Sequence, residues 1–228
     1  MNVINKTLSQ MEIFLDLSSS EIEDIEKLGK VKKFARGETI FSQGQEAKSA
    51  YVVIEGRVKV YKIGADGRTT ILHIFGPKDM FGEAVMFSGK SYPAFAQALE
   101  DSEIFSMPKS DFLTLVEAKP KVAIKMLGAQ AMMLRRFAAK IEDLSLRAVS
   151  ARLAGYFLEQ IDIAGQPSEE GYVLKLSMNK SLLAAYLGTI SETLSRTFHD
   201  FKEKGIIKEE KHGLIVTDLL QLQKLAQS

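Results

Sequence analysis

Glu192, Ser195 and Arg196 have the side chains in this sequence best suited to reading a chemical pattern. Arginine carries a planar fork of donors that can give two parallel hydrogen bonds to a guanine edge, and a carboxylate can accept from the amino group of cytosine. Glu192 and Arg196 stand four residues apart, so on a helix they project from one face. Ser195 adds a hydroxyl for a base or a phosphate. The competing reading of Glu192 and Arg196 is an ordinary ion pair along the helix. Asn179, Lys180, Thr189 and Ser191 fall near expected helix starts, where side chains and backbone donors meet phosphates. Helix capping competes there, and Thr189-x-x-Glu192 matches a capping box.

These residues need two short helices to position them. Leu182, Leu183, Tyr186 and Leu187 give the first helix an apolar side, and Gly188 stands where the chain must turn sharply. Leu194, Phe198 and Phe201 line the inner face of the second at helical spacing. This is the layout of a helix-turn-helix, whose second helix enters the DNA major groove. Tyr172 to Leu176 alternates like a strand, and Ile206-Ile207-Lys208 and Leu214-Ile215-Val216 flank Lys211-His212-Gly213 as the two strands of a wing.

Upstream the pattern is different. Residues 1 to about 30 carry helical apolar spacing at Ile13, Leu17, Ile22, Ile25 and Leu28. Between Val31 and Met107, short β-type runs are punctuated by glycines, with Ala65-Asp66-Gly67-Arg68 as a hairpin turn, which predicts a small antiparallel barrel or roll. Pro108 ends the strands, Ser110 is expected to cap a short helix, and Pro120 opens a long one. Along the long helix Ile124, Leu127, Ala131, Leu134, Ala138 and Ile141 form a heptad seam of about two and a half repeats. Met126, Met132, Met133 and Phe137 supply a second apolar face. The seam then suits a partner helix and the second face suits the barrel, although the barrel could also take the seam. The expected architecture is α+β: a sensor β-roll over residues 1–118, a dimerisation helix over 119–145 and a winged helix-turn-helix over 146–228.

Composition narrows the classes. No apolar run approaches the roughly 18 residues of a membrane span, and the N-terminal stretch lacks the pattern of a signal peptide, so a cytoplasmic protein without membrane contact is expected. Cysteine is absent, which excludes disulfides, thiol redox sensing and cysteine-ligated zinc or iron–sulfur clusters. The formal net charge of +1 neither favours nor opposes DNA binding, because phosphate attraction depends on local placement. No Ser-His-Asp order, metal-spaced cluster or phosphate-binding loop marks an enzyme. The alternative class is a regulatory protein that binds a small molecule of cyclic-nucleotide type without reading DNA, but such a protein has no need of a wing and a polar-tipped helix.

Four segments in order carry a resemblance across nearly the whole chain. They are Gly37-Glu38-Thr39-Ile40-Phe41-Ser42-Gln43-Gly44, Val52-Val53-Ile54-Glu55-Gly56-Arg57-Val58-Lys59-Val60, Asp79-Met80-Phe81-Gly82-Glu83, and Leu187-Gly188 through Glu192-Thr193-Leu194-Ser195-Arg196. Together with the order of roll, long helix and winged helix-turn-helix, they resemble the Crp/Fnr family of bacterial transcription regulators. The resemblance implies a cyclic-nucleotide-binding-like roll, a homodimer on a palindrome, RNA polymerase as a partner, and an effector seated between roll and long helix. The Glu-x-x-Ser-Arg form is similar to the Fnr-type recognition helix, which implies a TTGA-like half-site.

The switch is less legible. In the cyclic-AMP branch, Gly-Glu is followed a short way on by Arg-Ser, which holds the phosphate. Here Gly82-Glu83 is present but Ser91-Tyr92-Pro93-Ala94 occupies the later place. The missing arginine argues against cyclic AMP, leaving Gly82 and Glu83 either to an effector or to the turn alone. What remains is a small organic or gaseous effector, or haem. Phe81 to Phe87 is similar to the nitric-oxide-responsive, haem-associated members, including regulators of hybrid-cluster-protein genes, which implies a nitrosative or anaerobic response. His73 is the sensor-domain histidine, with Met126 nearby in the expected pocket. His73 shares a strand face with Ile71 and Phe75, so a buried core histidine is its competing reading.

Overall fold

The computed structural model describes residues 2–176, 178–210 and 213–227, and the chain divides into two compact units, Met1–Leu134 and Arg135–Ser228. Helices α1 (Val3–Ser9) and α2 (Ser19–Lys27) flank a 3₁₀ turn over Glu12–Phe14. A capping box starts α2: the Ser18 hydroxyl accepts from the Glu21 N–H while the Glu21 carboxylate accepts from the Ser18 N–H.

Eight strands follow: β1 (Lys30–Phe34), β2 (Thr39–Phe41), β3 (Ser49–Glu55), β4 (Val58–Ile63), β5 (Thr69–Phe75), β6 (Met80–Phe81), β7 (Phe95–Ala98) and β8 (Ser102–Pro108). They form two antiparallel four-stranded sheets, ordered β1-β8-β3-β6 and β2-β7-β4-β5. β1 and the two-residue β6 carry too little alternation to be read from sequence. Val53, Val58, Ile71, Ala96 and Ile104 are fully buried in the core of the roll. Burial of such side chains is the main favourable term in its stability.

The alternation expected over Thr69–Phe75 is interrupted. A bulge in the β4–β5 ladder pairs Val60 with His73 but Tyr61 with Ile71. A bulge bends the strand and leaves a residue unpaired, so Ile71 is buried while His73 is half-buried.

Helix α3 (Ala84–Ser88) follows β6, and α4 (Lys109–Ala118) and α5 (Pro120–Leu146) follow β8. The expected Ser110 cap does not form: α4 begins two residues earlier, at Lys109 after Pro108, without a side-chain cap. Proline holds a fixed φ and suits a helix entry. In α5, Met126 is buried and Met133 packs partly on the roll's core, but Met132 is exposed, so the expected second apolar face is narrower than four residues.

The second unit contains α6 (Val149–Ala164), β9 (Gln166–Ser168), β10 (Gly171–Leu174), α7 (Lys180–Tyr186), α8 (Ser191–Glu203), β11 (Ile207–Glu210), β12 (Gly213–Val216) and α9 (Leu219–Ala226). Its antiparallel sheet is ordered β11-β12-β10-β9. The segment expected only to break α6 is thus itself an edge strand, with Gln166 paired to Val173. Pro167 is tolerated there because an edge strand need not donate on both sides. Phe157, Leu194, Phe198 and Phe201 make the core, with the Phe157 ring edge-on to Phe198 at 5.7 Å.

Candidate nucleic-acid interface

Helix α7 starts at an Asn179 cap, whose side-chain oxygen accepts from the Leu182 N–H at 2.9 Å. It ends in a left-handed glycine, Gly188 at φ +66°, with the Gly188 N–H donating to Ala185 O and the Thr189 N–H to Ala184 O. That pair of bonds satisfies carbonyls a helix end leaves free, and only glycine adopts the required φ without strain. Arg152 of α6 braces the turn by donating from Nη1 to Leu187 O at 2.6 Å. Burial pushes the Arg152 guanidinium below its ordinary value. The Leu144 side chain also lies against Gly188.

The expected Thr189–Glu192 capping box does not form. The cap position of α8 is Ile190, which has no side-chain oxygen to offer, and no side-chain cap bond is made. Glu192 is therefore left at the exposed start of the helix. Ser191, Glu192, Ser195, Arg196 and His199 are exposed, while Leu194, Thr197, Phe198 and Phe201 are buried. The buried set fixes the rotation of α8, and with it the direction of Glu192, Ser195 and Arg196. Among the described residues neither Glu192 nor Arg196 has a side-chain partner, so the ion pair considered for them is not formed. His199 contacts Glu203 at 3.2 Å, one turn further along.

Charges at the far end of α8 and on the neighbouring elements are tied down. Glu209 of β11 takes Lys202 Nζ at 2.6 Å on one oxygen and Lys180 Nζ at 3.4 Å on the other. The Lys202 hydrogen bond is the main reason the Glu209 carboxyl lies below its ordinary value. Lys180 also sits 5.4 Å from the Phe198 ring centre. Lys208 pairs with Glu170 at 2.6 Å. Strands β11 and β12 form the wing; its Lys211 and His212 lie outside the described residues.

In the roll, Gly82 is left-handed at φ +73°, and a methyl at its Cα would lie within 3.2–3.5 Å of the Tyr51, Phe41 and Tyr92 rings. Those rings pack closely: Phe41 stacks on Tyr92 at 3.9 Å and Tyr51 on Phe81 at 5.2 Å. Tyr92, 1% exposed, donates its hydroxyl to Ser49 O at 2.7 Å and accepts from Ser49 N–H at 3.1 Å. Glu83 accepts a hydrogen bond from the Gln130 side chain on α5. Burial raises the Glu83 carboxyl above its ordinary value, and backbone and Gln130 donors offset part of that. His73 lies edge-on to Phe75 at 4.6 Å, and Met126 is buried.

The seam of α5 is uncovered within the single chain. Ile124, Leu127, Leu134 and Ile141 are 64–70% exposed, and Ala131 and Ala138 are exposed with them. Within the barrel's own unit, the barrel does not cover Ile124, Leu127, Ala131 or Leu134 of the seam.

Comparison with known proteins matches both halves. Residues 31–119 match the cyclic nucleotide-binding domain, and residues 151–225 the Crp-like helix-turn-helix domain. The chain belongs to the Crp/Fnr family of transcription regulators. Among similar Crp/Fnr proteins is the CRP-like cAMP-activated global transcriptional regulator of Mycobacterium tuberculosis, 27% identical over 225 residues, 98% of this chain and 100% of that protein. The fumarate and nitrate reduction regulatory protein of Vibrio cholerae is 26% identical over 96% of this chain and 88% of its own length. CooA from Carboxydothermus hydrogenoformans shares the fold at a TM-score of 0.77, with 24% identity and coverage of 89% and 90% of the two chains.

Several residues of this Crp/Fnr site escape a reading by motif. Arg152, Gln130 and Glu209 act across 35, 47 and 29 residues of sequence, on Leu187, Glu83 and Lys180 respectively. No local spacing signals such pairings.

Proposed function

We propose that this Crp/Fnr regulator is an effector-responsive homodimer that reads a palindrome with TTGA-like half-sites. The outward-facing, unpaired tip of Glu192, Ser195 and Arg196, on a helix whose opposite face is buried, carries the reading. Arg196 donates to guanine and Glu192 accepts from cytosine. Lys180, Thr189 and Ser191 meet phosphates; the Asn179 oxygen is committed to its cap, which leaves that residue its amide NH₂. The heptad seam of α5 supplies the dimer contact. We divide the chain into a sensor over 1–118, a dimerisation helix over 119–145 and a DNA-binding module over 146–228, with RNA polymerase as the further partner.

The signal is read where the Gly82–Glu83 turn meets Gln130 of α5. A ligand that competes for Glu83 changes the packing of that stretch of helix and shifts the population between two dimer geometries. The residues present do not fit haem. His73 has Phe75 packed edge-on against it, and the Phe41, Tyr51, Phe81 and Tyr92 rings fill the space beside the turn. The same filling, with no arginine at the phosphate position, speaks against cyclic AMP. A small effector of a nitrosative or anaerobic response accords with the Phe81–Phe87 similarity. In a binding selection from random duplexes, recovered half-sites should carry a guanine and be arranged as an inverted repeat; recovered half-sites without guanine would overturn the readout.

A further inference from the structure

Residues 179–210, which include both helices of the reader and the first wing strand, contain five Lys/Arg (180, 196, 202, 204, 208) and five Asp/Glu (192, 200, 203, 209, 210). This stretch of sequence therefore carries no net formal charge of its own. Three of its five cations are in ion pairs: Lys208 with Glu170, and both Lys180 and Lys202 with Glu209. Glu209 alone occupies two of them, one on each carboxylate oxygen.

We propose that Glu209 is an internal competitor for DNA phosphate that sets the sequence-independent part of the protein's affinity for DNA. This rests on the reading above in which Lys180 meets phosphate. In the free protein Glu209 stands where a phosphate oxygen would otherwise be welcome. To bind DNA, Lys180 must exchange a carboxylate partner for a phosphate one, and Lys202, held by the same carboxylate, is kept from adding its charge, so the gain per contact is reduced. All three side chains are partly exposed, at 35–54% of their surfaces, and exposed pairs of this kind are weak enough to exchange. Sequence-independent binding draws on phosphate neutralisation and counterion release. Base readout by Glu192 and Arg196 does not pass through Glu209. The carboxylate thus weakens binding to all duplexes alike and leaves the choice between sequences to the helix tip.

The test uses the full chain and fluorescence anisotropy on two duplexes, one carrying the selected palindrome and one scrambled, titrated from low to moderate salt. Glu209→Gln should tighten binding to the scrambled duplex about threefold to tenfold and steepen the slope of log affinity against log salt by about one to two, each released cation adding roughly 0.9. The ratio between the two duplexes should stay as in wild type. In a Lys180→Gln/Lys202→Gln background, Glu209→Gln should have little further effect, because non-additivity is the signature of a direct interaction. Unchanged scrambled-duplex affinity, weakened binding, or an equal gain in the double-lysine background would each overturn the clamp. The scrambled duplex needs neither effector nor operator. Wild-type protein retained on it, with Glu209→Gln identical, sinks the clamp alone; wild-type protein retained on neither duplex sinks the DNA reading itself.

Discussion

At the scale of single residues, function depends on which side chains are left without partners. Among the described residues Arg196 and Glu192 face outward with no side-chain partner, and the proposed readout uses their free hydrogen-bonding capacity. A bidentate base contact is worth about 1–3 kcal/mol of discrimination. Arg196→Ala should therefore reduce the preference for operator over scrambled duplex by about tenfold to a hundredfold, measured by anisotropy, with little loss on the scrambled duplex. Glu83 is the opposite case, a half-buried carboxyl that accepts from Gln130. Its folded value is raised above its ordinary 4.5, so the folded state holds the proton to higher pH than the unfolded chain does. Above the unfolded value, stability falls as pH rises toward the folded value, and below it the penalty disappears. Glu83→Gln, which keeps a hydrogen-bonding group and removes the charge, should flatten that decline. Melting temperature followed from pH 4.5 upward tests this, and a variant whose decline matches wild type would remove Glu83 as its source.

At the scale of elements, two helices carry the argument. The exposed seam of α5 has the period of a helix pair but no cover within the chain. Leu127→Glu places a charge in the middle of that seam at a position 70% exposed, so the monomer should fold normally while the dimer is lost. Sedimentation would show one-chain mass with an unchanged circular dichroism spectrum; an intact dimer would move the interface elsewhere. Helix α8 keeps its orientation through Phe198 and Phe201 packed on Phe157 of α6. Phe157→Ala opens a cavity beneath both rings and should cost about 3–5 kcal/mol, judged from large-to-small core substitutions. Chemical denaturation of the second unit measures it. Most of these elements are legible in sequence because an apolar period of three and four is a local property. The missed strands, β1, β6 and β9, are short or edge strands whose existence depends on pairing with β8, β3 and β10; helices α3 and α9 also lie outside the expected elements.

At the scale of the whole molecule, the proposed two-fold dimer sets a distance rather than a chemistry. Two recognition helices on one face of B-DNA address half-site centres one helical turn apart, about 34 Å. Inserting five base pairs at the centre of the palindrome should rotate one half-site to the far side and drop specific binding to the scrambled level, whereas inserting a full turn would separate the sites without that rotation. The sequence by itself determined the order of roll, long helix and winged helix-turn-helix, the period of the seam, and the spacing that puts Glu192, Ser195 and Arg196 on the exposed side of α8, because residue type, turn chemistry and helical spacing all act over a few residues. Tertiary structure alone decided that Ile190 rather than Thr189 heads the recognition helix, that Met132 turns outward, that a bulge takes His73 off the buried face of Ile71, and that Glu83 meets Gln130 while Glu209 meets Lys180 and Lys202. The physical reason is the same throughout: these outcomes depend on which surfaces the folded chain brings together across many residues of sequence, and no local spacing encodes them.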